Sequence, residues 1–349
     1  MAAGRPTRRR LMAGASATLM LGALPLKAQA QAPNPAFDPA FGEVAARADA
    51  LDQLRALVVM QGGELRFARA FRGPALQRTV NVKSVSKTIL ALMTGIAIGR
   101  GILPGAEARL VDVAPGIVPR GASETVGEIR LSHLLSMTAG LERTSGRNYG
   151  RWVESRNWVS HVLTRPVVAE PGARFQYSTG TFHVLGAALA TAAGRDLHAL
   201  ARDWLGRPLG IDIPSWTRAP EGFLMGGNNM ALSPLGLGRL GETVRRGGDW
   251  QGSQVIPTDW IETSWQARTR SPFSGDEYGF GWFLTRLGDV DAAYGRGYGG
   301  QMLYVLPGAE TVVAITSDPN RPARTRGHVG ALNRLVANDI LPALGAIGG

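Results

Sequence analysis

Between Thr88 and Ile98 the chain places Ile89, Leu90, Ala91, Leu92, Met93, Ile96, Ala97 and Ile98 with almost nothing polar among them. A helix built from this run has no face to give to water, so other layers of structure must enclose it on every side. Gly99 and Gly101 then end it. Ser84-Val85-Ser86-Lys87 stands at its start. A serine and a lysine three residues apart in a helix share one face, about a turn from each other, and can share a proton. The free backbone N–H groups at such a start suit an oxyanion, and burial together with the helix dipole pushes a first-turn lysine towards neutrality.

Composition bears directly on that lysine. Of 38 lysines and arginines only three are lysine, at positions 27, 83 and 87. Arginine does not give up its proton in a protein and a buried lysine does, so a chain that otherwise writes arginine and places lysine at 87 fits proton transfer there. The plainer reading is a solvated lysine in the first turn of a helix.

The chain opens on Thr7-Arg8-Arg9-Arg10, an apolar run from Leu11 to Leu26, and Ala28-Gln29-Ala30. This reads as a removed export signal of the twin-arginine type over residues 1–30, followed by a linker at 31–37; it implies a periplasmic protein without a stable membrane anchor. The alternative, a membrane span, would need a longer apolar run. There is no cysteine for a disulfide or a lipid. Residues 1–30 hold five basic side chains and no acidic one, so the net charge of +11 falls to about +6 beyond them. No basic stripe interleaved with aromatics follows, which argues against nucleic-acid binding.

From residue 38 to 349 the pattern is that of one domain. Asp38-Pro39 suits a helix start running to about Leu54, and 56–60 with 64–71 form a hairpin across Gln61-Gly62-Gly63. From about 103 to 215 the chain is helical and loop-rich, with helices near 132–138, 152–163, 181–193 and 197–205. Helices near 233–246 and 258–268, strands at 280–286, 302–306 and 311–316, and a helix from about 325 to 344 complete it. The expected class is α/β: an antiparallel sheet flanked by N- and C-terminal helices, with an inserted helical subdomain.

Five segments in this order resemble the serine β-lactamase-like hydrolases, a family that includes penicillin-binding peptidases, class C β-lactamases, esterases and hydrolases of the 6-aminohexanoate-dimer type. They are Ser84-Val85-Ser86-Lys87; Leu134-Leu135-Ser136-Met137-Thr138-Ala139-Gly140-Leu141; Phe175-Gln176-Tyr177-Ser178-Thr179; Tyr278-Gly279-Phe280-Gly281-Trp282; and Arg296-Gly297-Tyr298-Gly299-Gly300-Gln301. The resemblance implies a β-lactamase/transpeptidase-like fold without cofactor or metal. It makes Ser84 the acylated nucleophile, Lys87 its proton partner and Tyr177 a second acid and base, its phenolate stabilised by the nearby ammonium. The backbone N–H groups of Ser84 and Tyr298 become the oxyanion donors. Tyr149, Arg296, Gly297 and Gly299 become substrate contacts.

The chain departs from the family pattern twice. Thr179 and Thr181 stand where an asparagine is expected, so a side-chain amide that would hold substrate and lysine is missing. The third family motif, Lys or His before Thr and Gly, has as counterpart either Arg296-Gly297 or Tyr298-Gly299, two residues apart. Both departures weaken recognition of peptides and β-lactams and point to small-molecule carboxylic esters or small amides. A β-lactamase or D-alanyl-D-alanine carboxypeptidase is the alternative within enzymes, and a catalytically silent envelope-binding protein the alternative outside them. Gly236-Leu237-Gly238-Arg239-Leu240-Gly241 matches a dinucleotide fingerprint in spacing, but no strand precedes it. His133, His161, His183, His198 and His328 have neither metal-ligand spacing nor a GxSxG partner, and read as core or surface histidines.

Overall fold

The computed structural model describes residues 40–345. The export segment, the linker and the Asp38-Pro39 helix start lie outside the described residues.

Helix α1, Phe41–Asp49, buries Phe41, Val44, Ala45 and Ala48, the spacing of one helical face, and stacks Phe41 on Phe67 at 5.2 Å. It ends before the expected Leu54 because Leu54 is already the first residue of β1 (Leu54–Gln61). Strand β2 (Glu64–Ala70) pairs antiparallel with β1 across Gly62 and Gly63, both at positive φ, the backbone that a two-residue hairpin turn demands. Next come β3 (Val80–Lys83) and α2 (Val85–Gly99). Later strands are β4 (Met230–Leu232), the small hairpin β5 (Asp249–Trp250) and β6 (Ser253–Gln254), then β7 (Thr269–Arg270), β8 (Glu277–Tyr278), β9 (Phe283–Leu287), β10 (Val290–Gly297), β11 (Gln301–Leu306) and β12 (Thr311–Ser317). Eight of them form one antiparallel sheet in the order β2-β1-β12-β11-β10-β9-β8-β7, while β3 pairs with β4 alone.

Every residue of β11 and β12 is buried, because helices cover both faces of the sheet. On β11 Leu303 packs towards Gly241 of the helix Pro234–Arg245, while the next residue, Tyr304, donates to Asn333 of the C-terminal helical segment at 2.7 Å. Adjacent strand residues point to opposite faces, so these two segments lie on opposite sides. Gly295 of β10 is the antiparallel partner of Leu303 and meets Thr88, which puts α2 on the Gly241 side. Gly238 and Gly241 are contact points against Met60, Val58, Val312 and Leu303, not a phosphate loop.

Helix α2 is buried at every position from Val85 to Ala97. Trp260 donates its indole N–H to the Ala91 carbonyl at 2.9 Å and its ring fills the space over Gly95; Thr88 donates to the Gly281 carbonyl at 2.7 Å. Between residues 103 and 215 the chain holds the long helix Thr179–Ala193, otherwise short helices, loops and isolated bridges. The expected helix at 152–163 is two, Tyr149–Val153 and Trp158–Leu163, because Asn157 caps the second by accepting from Ser160 N at 2.7 Å. The helix expected to Arg268 stops at Ser264. The strand expected from Phe280 begins at Phe283, since Gly279 and Trp282 close a turn with Gly281 at φ 78. The closing segment turns regular only from Gly330, because Gly327 leaves helical geometry. Among the described residues no helix is long and apolar enough to cross a membrane.

Candidate active site

Ser84 is the N-cap of α2, one residue beyond β3. Ser86 fixes this junction from the other side of the turn. Its hydroxyl donates to the Lys83 carbonyl at 2.5 Å and accepts from Met230 N at 3.0 Å, tying the helix start to β4. Lys87, one turn into the helix, is 2 % exposed. Its Nζ reaches Ser84 Oγ at 2.9 Å, the Gly227 carbonyl at 2.5 Å and Thr179 Oγ1 at 3.3 Å. No carboxylate is among these partners, so burial is uncompensated and lowers the Lys87 pKa to about 7. At neutral pH a substantial fraction of Lys87 is therefore a free amine pointed at a serine hydroxyl.

Tyr177 lies just before the helix Thr179–Ala193. The segment is clamped: Gln176 N donates to the Met137 carbonyl at 2.7 Å, and Ser178 Oγ accepts from Thr144 N at 3.2 Å and from Thr181 N at 3.4 Å. The Tyr177 hydroxyl is hydrogen-bonded to Ser84. Burial nevertheless raises its pKa, against the opposing pulls of the Ser84 hydrogen bond and the Arg296 charge. The expected ammonium-stabilised phenolate is thus not the resting state. Lys87 Nζ sits 5.0 Å from the centre of the Tyr177 ring, over its face, and spends its hydrogen bonds elsewhere.

The missing asparagine does not leave Lys87 without its neighbour. Thr179 puts a hydroxyl there, and Ser145 Oγ binds Thr179 Oγ1 at 3.0 Å and accepts from Thr179 N at 2.9 Å. Side-chain amides enter from another segment: Asn228 and Asn229 line the same cleft, which has a volume of about 790 Å³ and also takes in Ser84, Tyr149, Tyr177, Arg296, Gly297 and Tyr298. Tyr149 accepts at its hydroxyl from Asn228 at 3.2 Å. Arg296 donates to Thr325 Oγ1 and to the Ala323 carbonyl, each at 3.2 Å. Gly297 is pressed against β3, for a Cβ there would come within 2.4 Å of the Val82 carbonyl; this contact sets the end of β10 beside Ser84. Tyr298, 53 % exposed, follows at the rim.

Gly299 corrects the expected contact set. It is not among the lining residues but turns the β10–β11 hairpin at φ 84, facing the Asp318 carbonyl, which an added Cβ would meet at 2.1 Å. Trp152 and Trp158 are core, packed around His183, whose Nε2 lies 3.2 Å from Glu221. No histidine lines the cleft.

Residues 48–338 match the Beta-lactamase family. The chain belongs to that family. Among solved structures it is similar to a putative 6-aminohexanoate-dimer hydrolase from Bacillus anthracis, at TM-score 0.70 and 16% identity over 84% of this chain and 79% of that one. It is also similar to EstCE1, a hydrolase with promiscuous acyltransferase activity, at TM-score 0.68 and 19% identity over 89% and 99%. A penicillin-binding protein homologue from Caulobacter crescentus gives TM-score 0.68 and 16% identity over 87% and 97%. At such identities the likeness is one of fold. No curated protein matches the chain.

Several residues of the site escaped the sequence reading. Ser145, Asn228 and the Gly227 carbonyl come from loops whose meeting point depends on the tertiary fold. Lys83 and Arg143, which also line the cleft, had a signal only in the case of Lys83, through the scarcity of lysine.

Proposed function

We propose that this protein is a serine hydrolase that acts through an acyl-enzyme on carboxylic esters or small amides, with Ser84 as nucleophile. The observation that carries the reading is the 2.9 Å approach of Lys87 Nζ to Ser84 Oγ, with Lys87 brought to a pKa of about 7 by burial. The neutral amine takes the Ser84 proton as Oγ attacks the carbonyl. The N–H groups of Ser84 and Tyr298 receive the oxyanion. As the carbon–oxygen or carbon–nitrogen bond to the leaving group breaks, the Tyr177 phenol gives it a proton. What remains is an acyl-enzyme with Lys87 as ammonium and Tyr177 as phenolate, a pair whose charges support each other in this dry setting. Water then gives a proton to Tyr177 and attacks the acyl carbon, and Ser84 leaves with the proton from Lys87, restoring the resting state.

Esters are the first choice because the Lys-Thr-Gly pattern and the asparagine after the tyrosine are absent. Small amides are a second reading, favoured by Asn228, a cleft-lining residue whose buried side-chain oxygen has no protein partner. A fluorophosphonate should label wild-type protein at Ser84 and leave Ser84→Ala unlabelled. Purified enzyme should turn over short-chain nitrophenyl esters much faster than a chromogenic cephalosporin. The reverse ranking would favour a β-lactamase, and a folded protein that takes no label would favour a silent binding protein.

A further inference from the structure

Lys83 occupies a backbone conformation that a lysine has reason to avoid. Its φ is 51°, in the left-handed region where glycine is at no cost and a side chain is strained. The conformation is locked on both sides: Lys83 N donates to Asn81 Oδ1 at 2.8 Å, and its carbonyl accepts from Ser86 at 2.5 Å. It stands directly before Ser84 and lines the cleft. It is also one of only two lysines after residue 30 in a chain that otherwise uses arginine. Strain of this kind persists where the surrounding structure over-determines it, and it clusters at active sites and ligand clamps.

The surroundings indicate what the side chain does there. Among the described residues the cleft is lined by three cations, Lys83, Arg143 and Arg296, and by no aspartate or glutamate. Among the described residues neither Lys83 nor Arg143 is in an ion pair; Arg143 instead lies over the ring of Phe273 at 5.6 Å. The nearest carboxylates in sequence to the lining residues are already taken, Asp318 by Arg55 at 2.8 Å and Glu142 by Arg165. Arg143 also borders an adjoining cleft lined by Arg147, Arg174 and Arg270 and by one carboxylate, Glu142, which Arg165 already holds, so a net positive field extends outward from the site.

We propose that the cleft selects esters or amides that carry a negatively charged group, a carboxylate, and that Lys83 and Arg143 are the residues that read it. The inference rests on the acyl-transfer reading above and adds the substrate class. It is separate from the backbone oxyanion donors, which act on charge that develops during reaction; Lys83 and Arg143 act on charge the substrate brings with it.

The test compares esters that differ by one charge: 4-nitrophenyl butyrate against mono-4-nitrophenyl glutarate for the acyl side, and phenyl butyrate against 3-carboxyphenyl butyrate for the leaving side. The anionic member of at least one pair should show kcat/KM higher by about tenfold or more, the range of a charge-assisted hydrogen bond. That preference should shrink as sodium chloride is raised. In Lys83→Gly and in Arg143→Gln the anionic-to-neutral ratio should fall towards one. Lys83→Gly should at the same time keep or raise the thermal midpoint, because glycine relieves the left-handed strain, and a purely structural lysine would not separate the two readouts in this way. Binding of the same acyl pair to Ser84→Ala, followed by calorimetry, reads the preference without any turnover, and fluorophosphonate labelling of the wild type reads the chemistry without any charge. Equal handling of neutral and anionic esters in both series would overturn the proposal while labelling left the hydrolase reading intact. So would a full preference retained by folded Lys83→Gly and Arg143→Gln proteins.

Discussion

At the scale of single residues, Lys87 and Tyr177 are driven in opposite directions by the same cause. Burial disfavours whichever form is charged, so it lowers the amine and raises the phenol. Only one of the two is then a free base at neutral pH. The acylation rate should accordingly rise with pH and level off above about 7, the point at which Lys87 loses its proton. If Tyr177 supplied the base in acylation, the limb would instead lie above the ordinary tyrosine value of 10.0. Stopped-flow measurement of Ser84 acylation across this interval decides between them. Lys87→Arg should stay folded and take no fluorophosphonate label, since a guanidinium keeps the charge and cannot accept a proton; labelling at the wild-type rate would remove Lys87 from the mechanism. Tyr177→Phe should lose roughly 100-fold in turnover while keeping the fold, and near-normal turnover would leave the phenol without a role. The pairing of Ser84 with Lys87 could be read from their local spacing, whereas Tyr177, far along the chain, was readable only through the resemblance of its segment to the family's. Thr179 was legible only as a substitution: that its hydroxyl would still meet Lys87, with Ser145 behind it, depends on two loops whose approach no local pattern encodes.

At the scale of elements, the helix α2 announced its own burial, but the strand beside it did not. Strand β10 reads Val-Asp-Ala-Ala-Tyr-Gly-Arg-Gly, a composition poor in strand formers. Its glycines are there because neighbours come close: the Thr88 side chain of α2 at Gly295 and the Val82 carbonyl of β3 at Gly297. A reader of sequence sees low strand propensity where the fold sees room for a neighbour. Gly281 makes the same point against the same helix. Its φ is 78°, and a Cβ there would lie 2.6 Å from the Ala91 side chain and 3.2 Å from the Lys87 carbonyl. Gly281→Ala therefore adds left-handed strain to overpacking and should destabilise by roughly 2–4 kcal/mol. Gly101→Ala, at φ 69° with open space around it, should cost only about 1 kcal/mol. Urea denaturation of the two variants measures the difference. Equal losses would mean that α2 has slack against the Tyr278–Trp282 turn, and that its start is held less tightly than the contacts at Thr88 and Trp260 imply.

At the scale of the whole molecule, the enclosure of α2 is what couples the chemistry to folding. The layered fold followed from one apolar helix that had to be covered, and the cover is assembled from distant parts of the chain: Thr179 and Gly227 at the lysine, Trp260 and Gly281 along the helix. An amine kept in such a place binds its proton less tightly folded than unfolded, with a pKa of about 7 against 10.5. Between those two values the unfolded chain holds more protons than the folded one, so stability increases with pH through the interval. The gain is complete above 10.5 and is lost as pH falls through about 7. Its slope for this one group is at most about 1.4 kcal/mol per pH unit. Other groups also titrate there, so the quantity to measure is the difference between wild type and Lys87→Met, whose thioether fills a similar volume without a charge. Urea denaturation from pH 6 to 10 should show the wild type least stable relative to Lys87→Met at pH 6 and gaining on it steadily above 7. A difference that stays flat across the range would mean that folded Lys87 keeps its proton, and the free amine on which acylation depends would then have to be produced by substrate binding.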